Sequence, residues 1–341
     1  MEIGVYSFGD SSIDPATGKF FAPERSVKNL LERIKLADEV GLDYFGIGEH
    51  HRPDFPISAP SVVLGAAAAM TKNIRLGSSV TVLSTEDPVR VFQQYASIDL
   101  ISGGRAEITA GRGSFVESYA LFGDSLSDYD ELFEEKINLL LQLNSQNPIT
   151  WSGKFRPNLE EAAIWPRPFN GQLPIWIGTG GTPESSARAG RLGVNLIYAI
   201  IGGYPARFAP LVDYYRSVAG QQGHDVSKLK VGVAGMGLIG SNASEIKEIM
   251  YPAWMNSMSK IAAERGFSAP DRQAWEAQAN GDGAFHVGDP SEVIDRLAKL
   301  NEVMPYDRHI MQMDAGHVDH AVIMKSIELL GTKVKPALAA L

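Results

Sequence analysis

The stretch LPIWIGTGGTPESSARAGRLGVNLIYA, residues 173–199, decides the fold because it contains one complete structural repeat. Its apolar runs at 174–178 and 194–199 are short and rich in β-branched and aromatic residues, which is typical of buried strands. The segment between them, 183–191, is predicted to be a helix. Neighbouring parallel strands need a helix-sized crossover of this kind. The stretch therefore predicts one β–α–β unit.

The same alternation continues in both directions along the 341 residues. Ser26 is a predicted N-cap for the first helix, and Pro88 is a predicted first-turn residue of another. Eight repeats predict a single α/β domain over 1–341, a (β/α)8 TIM barrel, with a doubly wound open sheet as the alternative. The predicted strands are 2–7, 44–48, 74–81, 105–110, 174–178, 194–199, 229–239 and 309–313, and the other predicted helices are 27–40, 59–70, 128–143, 206–220, one from about 243, and 317–330.

Two connecting segments, near 144–173 and 266–288, are longer than ordinary connections between a helix and a strand. The first is rich in Pro, Trp and Asn. We expect both to be insertions that lie over the carboxyl-terminal face of the barrel. Residues that carry chemistry are expected at that same face.

Composition excludes several classes of function. The net charge is −9, which argues against a surface that binds nucleic acid. The chain has no cysteine, so disulfides, thiolate metal sites and a cysteine nucleophile are excluded. The opening sequence lacks the pattern of a signal peptide, and the longest apolar run is too short to span a bilayer. These features predict a cytoplasmic protein with no membrane partner.

Polar residues at predicted strand ends are the candidates for a site. Thr179, Gly180, Gly181 and Thr182 lead from the fifth strand into a helix, where free backbone N–H groups and the helix dipole favour an anion. The hydroxyl of Ser185 can add a donor. Arg112, between two glycines after the fourth strand, offers guanidinium donors for a phosphate or a carbonyl. An ordinary tight turn and a surface arginine are the alternative interpretations, and a dinucleotide fingerprint lacks its third glycine.

Glu49, His50 and His51 close the second predicted strand. Adjacent residues of a strand point to opposite sides, so both histidines cannot face the barrel axis. This weakens a metal-binding interpretation. A histidine at the barrel mouth suits proton transfer near neutral pH, with a structural histidine as the alternative.

Several stretches together resemble the bacterial-luciferase-like flavin-dependent monooxygenases. They are GIGEHH (46–51), RLGSSVTVLSTEDPVRVFQQYASIDLISGGRAEITAGRG (75–113), LPIWIGTGGTPESSARAGRLG (173–193) and FHVGDPSEVIDRL (285–297). The similarity runs through essentially the whole chain in the same order. It implies a β/α barrel that uses reduced FMN or, in one branch, a deazaflavin coenzyme.

The resemblance also implies roles for individual residues. Glu49 and His50 inherit the catalytic positions, with His50 moving protons. Arg112 and the loop Gly180–Thr182 would hold the flavin phosphate. The family often has a cis peptide beneath the flavin ring, which would fall at Ser78–Ser79. The reactive thiol found before the arginine in luciferase is replaced by Gly111, so light emission has no particular support.

The implied activity is oxygenation of an apolar aldehyde, ketone or alkane with reduced FMN and O2. Reduced flavin would come from a separate reductase because no nicotinamide fingerprint is visible, and a homodimer is implied by the family. The alternatives are a deazaflavin-dependent hydride transfer, a metal-dependent barrel hydrolase using His50, and a flavin-binding protein without turnover.

Overall fold

A closed ring of eight parallel strands forms the centre of the protein. The structure is a computed structural model that describes residues 1–11, 17–20, 22–113, 115–266, 268–316 and 318–340. The ring runs through the strands β1, β2, β3, β5, β8, β9, β10 and β12 and returns to β1. The strands are β1 (Glu2–Ser7), β2 (Tyr44–Ile47), β3 (Arg75–Ser78), β4 (Thr81–Val82), β5 (Ala106–Gly111), β6 (Ile149–Trp151), β7 (Leu159–Ala162), β8 (Ile175–Thr179), β9 (Asn195–Ile200), β10 (Val231–Ile239), β11 (His286–Gly288) and β12 (Arg308–Gln312).

Two pairings close the ring and settle the fold. β12 pairs with β1, where Glu2 lies opposite Arg308, and β10 joins β9 to β12. The predicted (β/α)8 barrel is confirmed, and the open-sheet alternative is wrong because an open sheet would leave two unpaired edges.

Helices surround the ring and bury their apolar faces against the outer side of the strands. Ser26 is not the N-cap of the first helix, because that helix already begins at Pro23, whose fixed φ suits a first turn. The start of the last predicted helix, His317, lies outside the described residues. The helices are α1 (Pro23–Glu39), α2 (Pro60–Met70), α3 (Pro88–Ser102), α4 (Glu117–Phe122), α5 (Tyr129–Ser145), α6 (Pro183–Leu192), α7 (Ala209–Gln221), α8 (Ala243–Arg265), α9 (Arg272–Ala279), α10 (Pro290–Val303), α11 (His320–Leu329) and α12 (Lys335–Ala339).

Helix α8 crosses the carboxyl-terminal mouth of the barrel. Its Asn256 amide donates to the Gly316 carbonyl beyond β12, and its Glu264 carboxylate binds Arg52 beyond β2. The neighbouring α9 contributes Gln278, whose side chain accepts a hydrogen bond from the Gly203 amide beyond β9. Within the 266–288 segment, this contact places α9 beside the end of β9, and the predicted course of the whole segment over the mouth stays a prediction. The barrel helix between β10 and β12 is α10.

The 144–173 insertion does not lie over the mouth, and this expectation is wrong for most of the segment. It forms the β6–β7 hairpin on the outer surface of α3 and α5. The Glu135 carboxylate of α5 accepts hydrogen bonds from three consecutive amides at 154–156. Asp99 of α3 accepts from the Phe169 amide. These helix carboxylates fix the hairpin to the side of the barrel, while Arg156 binds Asp87 at the start of α3 and Lys154 binds Glu131 in the first turn of α5, both towards the mouth side.

The amino-terminal end of the barrel is closed by a buried ion-pair network. Both carboxylate oxygens of Glu107 accept hydrogen bonds from the Arg308 guanidinium, at 2.6 and 3.1 Å. Arg75 binds the same carboxylate, and Trp176 donates to it at 3.0 Å. The Arg308 guanidinium lies 4.4 Å from the centre of the Tyr44 ring and 4.5 Å from that of Trp176. Every polar atom of Glu107 is therefore satisfied in a site closed to solvent.

Candidate active site

The end of β3 forms the floor of the site. The Ser78 hydroxyl donates to the Thr109 carbonyl, and the Tyr44 hydroxyl donates to the Ser78 carbonyl. The non-proline cis peptide lies at Ser79–Val80, so its expected position at Ser78–Ser79 is wrong by one residue. The Ser79 amide still donates to the Ile47 carbonyl of β2, so the regular strand pairing extends through Ser79 and the chain turns only after it.

The side chain of Val80 explains two glycines of the floor. A Cβ atom at Gly111 would lie 2.5 Å from a methyl group of Val80, and one at Gly178 would lie 2.7 Å from the other methyl group. Real Cβ atoms do not approach other atoms so closely. The absence of a side chain at Gly111 therefore has a packing cause in this chain.

His50 lies at the mouth among three aromatic rings. Its ring centre is 4.7 Å from that of Phe8, 4.5 Å from that of Phe55 and 4.9 Å from that of Phe115. Its Nδ1 atom is 3.7 Å from a carboxylate oxygen of Glu117. Burial is the largest single influence and raises the pKa of Glu117, but the His50 contact, a backbone hydrogen bond and the charge of Arg52 together bring the net pKa below the usual range. This pairing gives the imidazole a nearby carboxylate in an apolar surrounding.

Glu49 and His51 form a second pair, directed away from His50. The Glu49 carboxylate bonds the His51 ring at 3.0 Å and accepts from the Val82 amide at 3.0 Å. The hydrogen bond to Glu49 raises the pKa of His51, although partial burial opposes it. The two histidines therefore have different surroundings, although β2 ends at Ile47 and neither histidine lies within the strand. The geometry gives Glu49 an organising role between β2 and the floor; its predicted catalytic role stays a prediction.

Arg112 and the start of α6 converge on one place. The Arg112 guanidinium donates to the Ser185 hydroxyl at 3.0 Å, and the Thr182 hydroxyl donates to the same oxygen at 2.9 Å. Thr182 is the N-cap of α6 and accepts from the Ser185 amide. These three residues, selected from sequence at two different strand ends, meet at one helix terminus.

The loop before α6 is shaped by its small residues. The Gly181 amide donates to the Thr179 hydroxyl at 3.2 Å, so Thr179 stabilises the turn. Gly181 has φ +93°, a left-handed conformation that favours glycine. A Cβ atom at Gly180 would meet nothing within 4 Å, so its backbone borders open space. The loop thus leaves open space at Gly180.

A second arginine at this place was missed by the sequence analysis. Arg188 of α6 is largely buried and lies 3.4 Å from the same Asp130 oxygen that Arg112 binds at 2.5 Å. It also binds Glu134 at 2.7 Å. The sequence feature that could have identified Arg188 is its position three residues after Ser185. Residues three apart in a helix lie on the same face.

One short loop after β5 connects the two halves of the site. It carries Arg112 at one end, and Phe115 and Glu117, the neighbours of His50, at the other. The Tyr119 hydroxyl donates to the Arg112 carbonyl at 3.0 Å, and the Tyr129 hydroxyl donates to the Gly113 carbonyl at 2.7 Å. The predicted anion site and the predicted acid–base residue are therefore parts of one continuous mouth.

The described residues were also searched for a metal-binding cluster and for a membrane-spanning helix. Within the described ranges, no group of three His, Asp or Glu side chains is gathered that could hold a metal ion. In the part of the chain that the structure describes, no helix combines the length and the apolar character needed to cross a bilayer.

Comparisons with known proteins agree with this geometry. The family model described as luciferase-like monooxygenase matches residues 1–306. A monooxygenase from Streptomyces bottropensis superimposes with a TM-score of 0.85 at 20% identity over 99% of each chain. The oxygenating constituent of 3,6-diketocamphane monooxygenase from Pseudomonas putida, solved with FMN, gives 0.77 at 20% identity over 98% of each. A coenzyme F420-dependent tetrahydromethanopterin reductase from Methanopyrus kandleri gives 0.72 at 20% identity over 99% of each.

Fold and strand-end residues together define a β/α-barrel enzyme of the oxidoreductase type. The chain belongs to the luciferase-like monooxygenase family, which confirms the resemblance found in the sequence. Both flavin and F420 relatives share the fold.

Proposed function

We propose that this protein is a monooxygenase that uses reduced FMN and O2 to oxygenate an apolar aldehyde, ketone or alkane. The observation that carries the proposal is the convergence of Arg112, Ser185 and Thr182 at the start of α6. Three donors at a helix N-terminus, beside a glycine that borders open space, suit a phosphate monoester.

Asp130 supports the assignment of a phosphate to this place. Its carboxylate bridges the two guanidinium groups of Arg112 and Arg188, although its side chain is 67% exposed. An exposed carboxylate gains little from such contacts because water screens them. A ligand phosphate carries more charge and more acceptor oxygens, so it can displace Asp130 into solvent.

The same region favours FMN over a deazaflavin coenzyme. Exposed carboxylates lie on Asp130, which binds both arginines, and on Glu184 in the first turn of α6. A deazaflavin coenzyme carries further carboxylates beyond its phosphate, and these would meet like charges here. FMN ends at its phosphate and avoids that repulsion.

In this proposal, the residues of the chain have the following roles. Arg112, Ser185 and Thr182 bind the phosphate, with Gly180 leaving it room, and Ser78 and Ser79 belong to the floor on which the ring would rest. Reduced flavin, when bound, supplies the electrons that activate O2. His50 takes up and returns protons at its imidazole, and its three aromatic neighbours keep water away from it. A separate reductase and a homodimer belong to the proposal as the expected partners.

The test is a titration of the purified protein with FMN, followed by flavin fluorescence. Arg112→Ala should weaken FMN binding by about 1.5–3 kcal/mol, as for the loss of a charged hydrogen bond. Asp130→Asn should tighten binding several-fold because a competing anion is removed. Arg191→Ala, an exposed arginine at the far end of α6, is the matched control and should bind as the wild type does.

Measurements of oxygen uptake then distinguish an FMN-dependent monooxygenase from a deazaflavin-dependent enzyme and from a flavin-binding protein without turnover. Reduced FMN should support substrate-dependent uptake with members of a panel of aldehydes, ketones and alkanes, and reduced deazaflavin should not. Equal FMN affinity in the wild type and in Arg112→Ala would overturn the anion site. FMN binding without substrate-dependent uptake would favour a flavin-binding protein without turnover.

A further inference from the structure

The imidazole ring of His50 is enclosed by hydrocarbon on three sides. The planes of Phe8 and Phe115 meet the plane of the imidazole at 82° and 88°, and Phe55 packs on it at 33°. The side chain of His50 is only 9% exposed. A phenyl ring neither donates a hydrogen bond to a ring nitrogen nor replaces water as a strong acceptor. A polar group elsewhere must therefore decide which nitrogen of neutral His50 carries the proton.

Glu117 supplies that polar group. It is the first residue of α4 and follows Phe115 by two positions. Its Oε1 atom lies 3.7 Å from Nδ1 of His50. An ionised carboxylate can only accept, so it attracts an N–H group and repels a nitrogen lone pair. The apolar surroundings strengthen this preference because they screen charge less than water does. The contact therefore favours a proton on Nδ1.

Glu117 is free to act on His50 because the nearest cation is engaged elsewhere. The Arg52 guanidinium donates to Glu264 at 2.8 Å and to Asp54 at 3.2 Å. Its charge still lowers the pKa of Glu117, against the larger effect of burial, which raises it. Glu117 thus remains an ionised carboxylate that keeps its contact with the imidazole.

The second nitrogen of His50 is left for a reactant. The two nitrogens of an imidazole point in different directions, so Nε2 points away from Glu117. His50 also lines an open cleft of about 370 Å3 together with Arg52 and Phe55. With the proton on Nδ1, Nε2 has a lone pair and can accept a proton, and the carboxylate of Glu117 stabilises the cation that results. Only the N–H bond at Nε2 forms and breaks in this cycle.

We infer that Glu117 is a positioning residue, which keeps the proton of neutral His50 on Nδ1 and leaves Nε2 as the atom that takes up and returns protons. The role in turnover rests on the proposed function. The proton position itself is a property of the chain without flavin. In the opposite tautomer, the lone pair of Nδ1 would face the carboxylate.

The first test observes the tautomer by nitrogen NMR of the full chain, labelled with isotope in its seven histidines and kept free of flavin. At mildly alkaline pH, above the ordinary histidine pKa of about 6.5, neutral rings are observed. The His50 signal is assigned by its loss in His50→Gln. The wild type should carry the proton on Nδ1, and Glu117→Gln should gain the opposite tautomer. Glu245→Gln, which changes an exposed first-turn glutamate of α8, is the matched control and should give the wild-type signal.

The second test measures oxygen uptake with reduced FMN. Glu117→Gln should lower kcat roughly tenfold, as expected for one lost contact to a charged group, and should leave KM and FMN affinity nearly unchanged. A wild type with its proton on Nε2, a Glu117→Gln variant with the wild-type tautomer, or an unchanged kcat beside an altered tautomer would overturn the inference. Failure of the wild type to bind FMN would instead contradict the proposed function, and the tautomer would still decide whether Glu117 positions the proton.

Discussion

The two ends of the barrel use acidic residues in opposite ways. At the amino-terminal end, Glu107 is enclosed by two arginines and an indole N–H, and none of its oxygens lacks a partner. At the carboxyl-terminal end, Asp10 is held by a single amide, and its second oxygen is left without a partner in the described structure. Because every carboxylate oxygen of Glu107 is paired, the amino-terminal network has only a stabilising role in the fold. Incomplete pairing leaves a buried carboxyl whose pKa is raised.

The largest effect is expected from a substitution that disrupts the ion-pair network around Glu107 at the amino-terminal end. Arg308→Met removes the bidentate partner of Glu107 and leaves a buried carboxylate with Arg75 and Trp176. Loss of one partner from a buried ion pair costs about 3–5 kcal/mol of unfolding free energy, which urea denaturation would measure. Lys230→Met, which removes an exposed contact with Glu2 at the same end, is the matched control and should cost less than about 1 kcal/mol. Equal losses in the two variants would contradict the comparison.

At the other end the main expected loss is in turnover. His50→Ala and His50→Gln should each slow turnover by roughly 10²–10⁴, the usual contribution of a positioned proton-transfer group. FMN affinity should stay close to that of the wild type because Arg112 is untouched. His51→Gln, which keeps a donor for Glu49, serves as the control and should turn over faster than either. Unchanged turnover in His50→Ala would remove His50 from the mechanism.

The smallest expected effect is the pH dependence of stability, which should have opposite signs for Glu107 and Asp10. Burial raises the pKa of Glu107, but Arg308 and Arg75 outweigh it and hold the net pKa below the usual range. Its stabilising contribution is therefore full above the unfolded pKa of about 4.3 and is lost as pH falls through the lower folded pKa. The pKa of Asp10 is raised, so its contribution is full below an unfolded pKa of about 3.9 and is lost as pH rises through the folded pKa.

Urea titrations across pH check both signs. The stability difference between the wild type and Glu107→Gln should shrink on acidification from about pH 5 to about pH 3. The stability of Asp10→Asn relative to the wild type should grow as pH rises from about 4 to about 8. A shift of the same sign for both variants would show that the two carboxyls do not differ in the way described.

The barrel was predictable because its signal is local. Each strand is a short apolar run, each helix repeats its apolar residues at helical spacing, and eight repeats leave few ways to close the sheet. The course of the long connections was not predictable in this way. The 144–173 segment is fixed by Asp99 on α3 and by Glu135 on α5, the helix that directly precedes it, and nothing within the segment itself indicates which surface it covers.

The candidate site was predictable where its residues follow strands. His50, Arg112 and Thr182 were selected for that reason, and the structure places all three at the mouth. Arg188 and Asp130 lie on helices and were missed, because their contact depends on how α5 and α6 pack. Asp10, three residues beyond β1, had the same strand-end signal as the others. It lacked a motif that would distinguish it from a surface aspartate.

The loop from Arg112 to Glu117 has a consequence for the order of events. A phosphate that draws Arg112 away from Asp130 acts on one end of this loop, and the other end holds Phe115 and Glu117 beside His50. Phe115 also lines a cavity of about 120 Å3 at the mouth. Under the proposed function, binding of the cofactor is thus expected to change the space available to the second reactant, so flavin is expected to bind before the organic substrate.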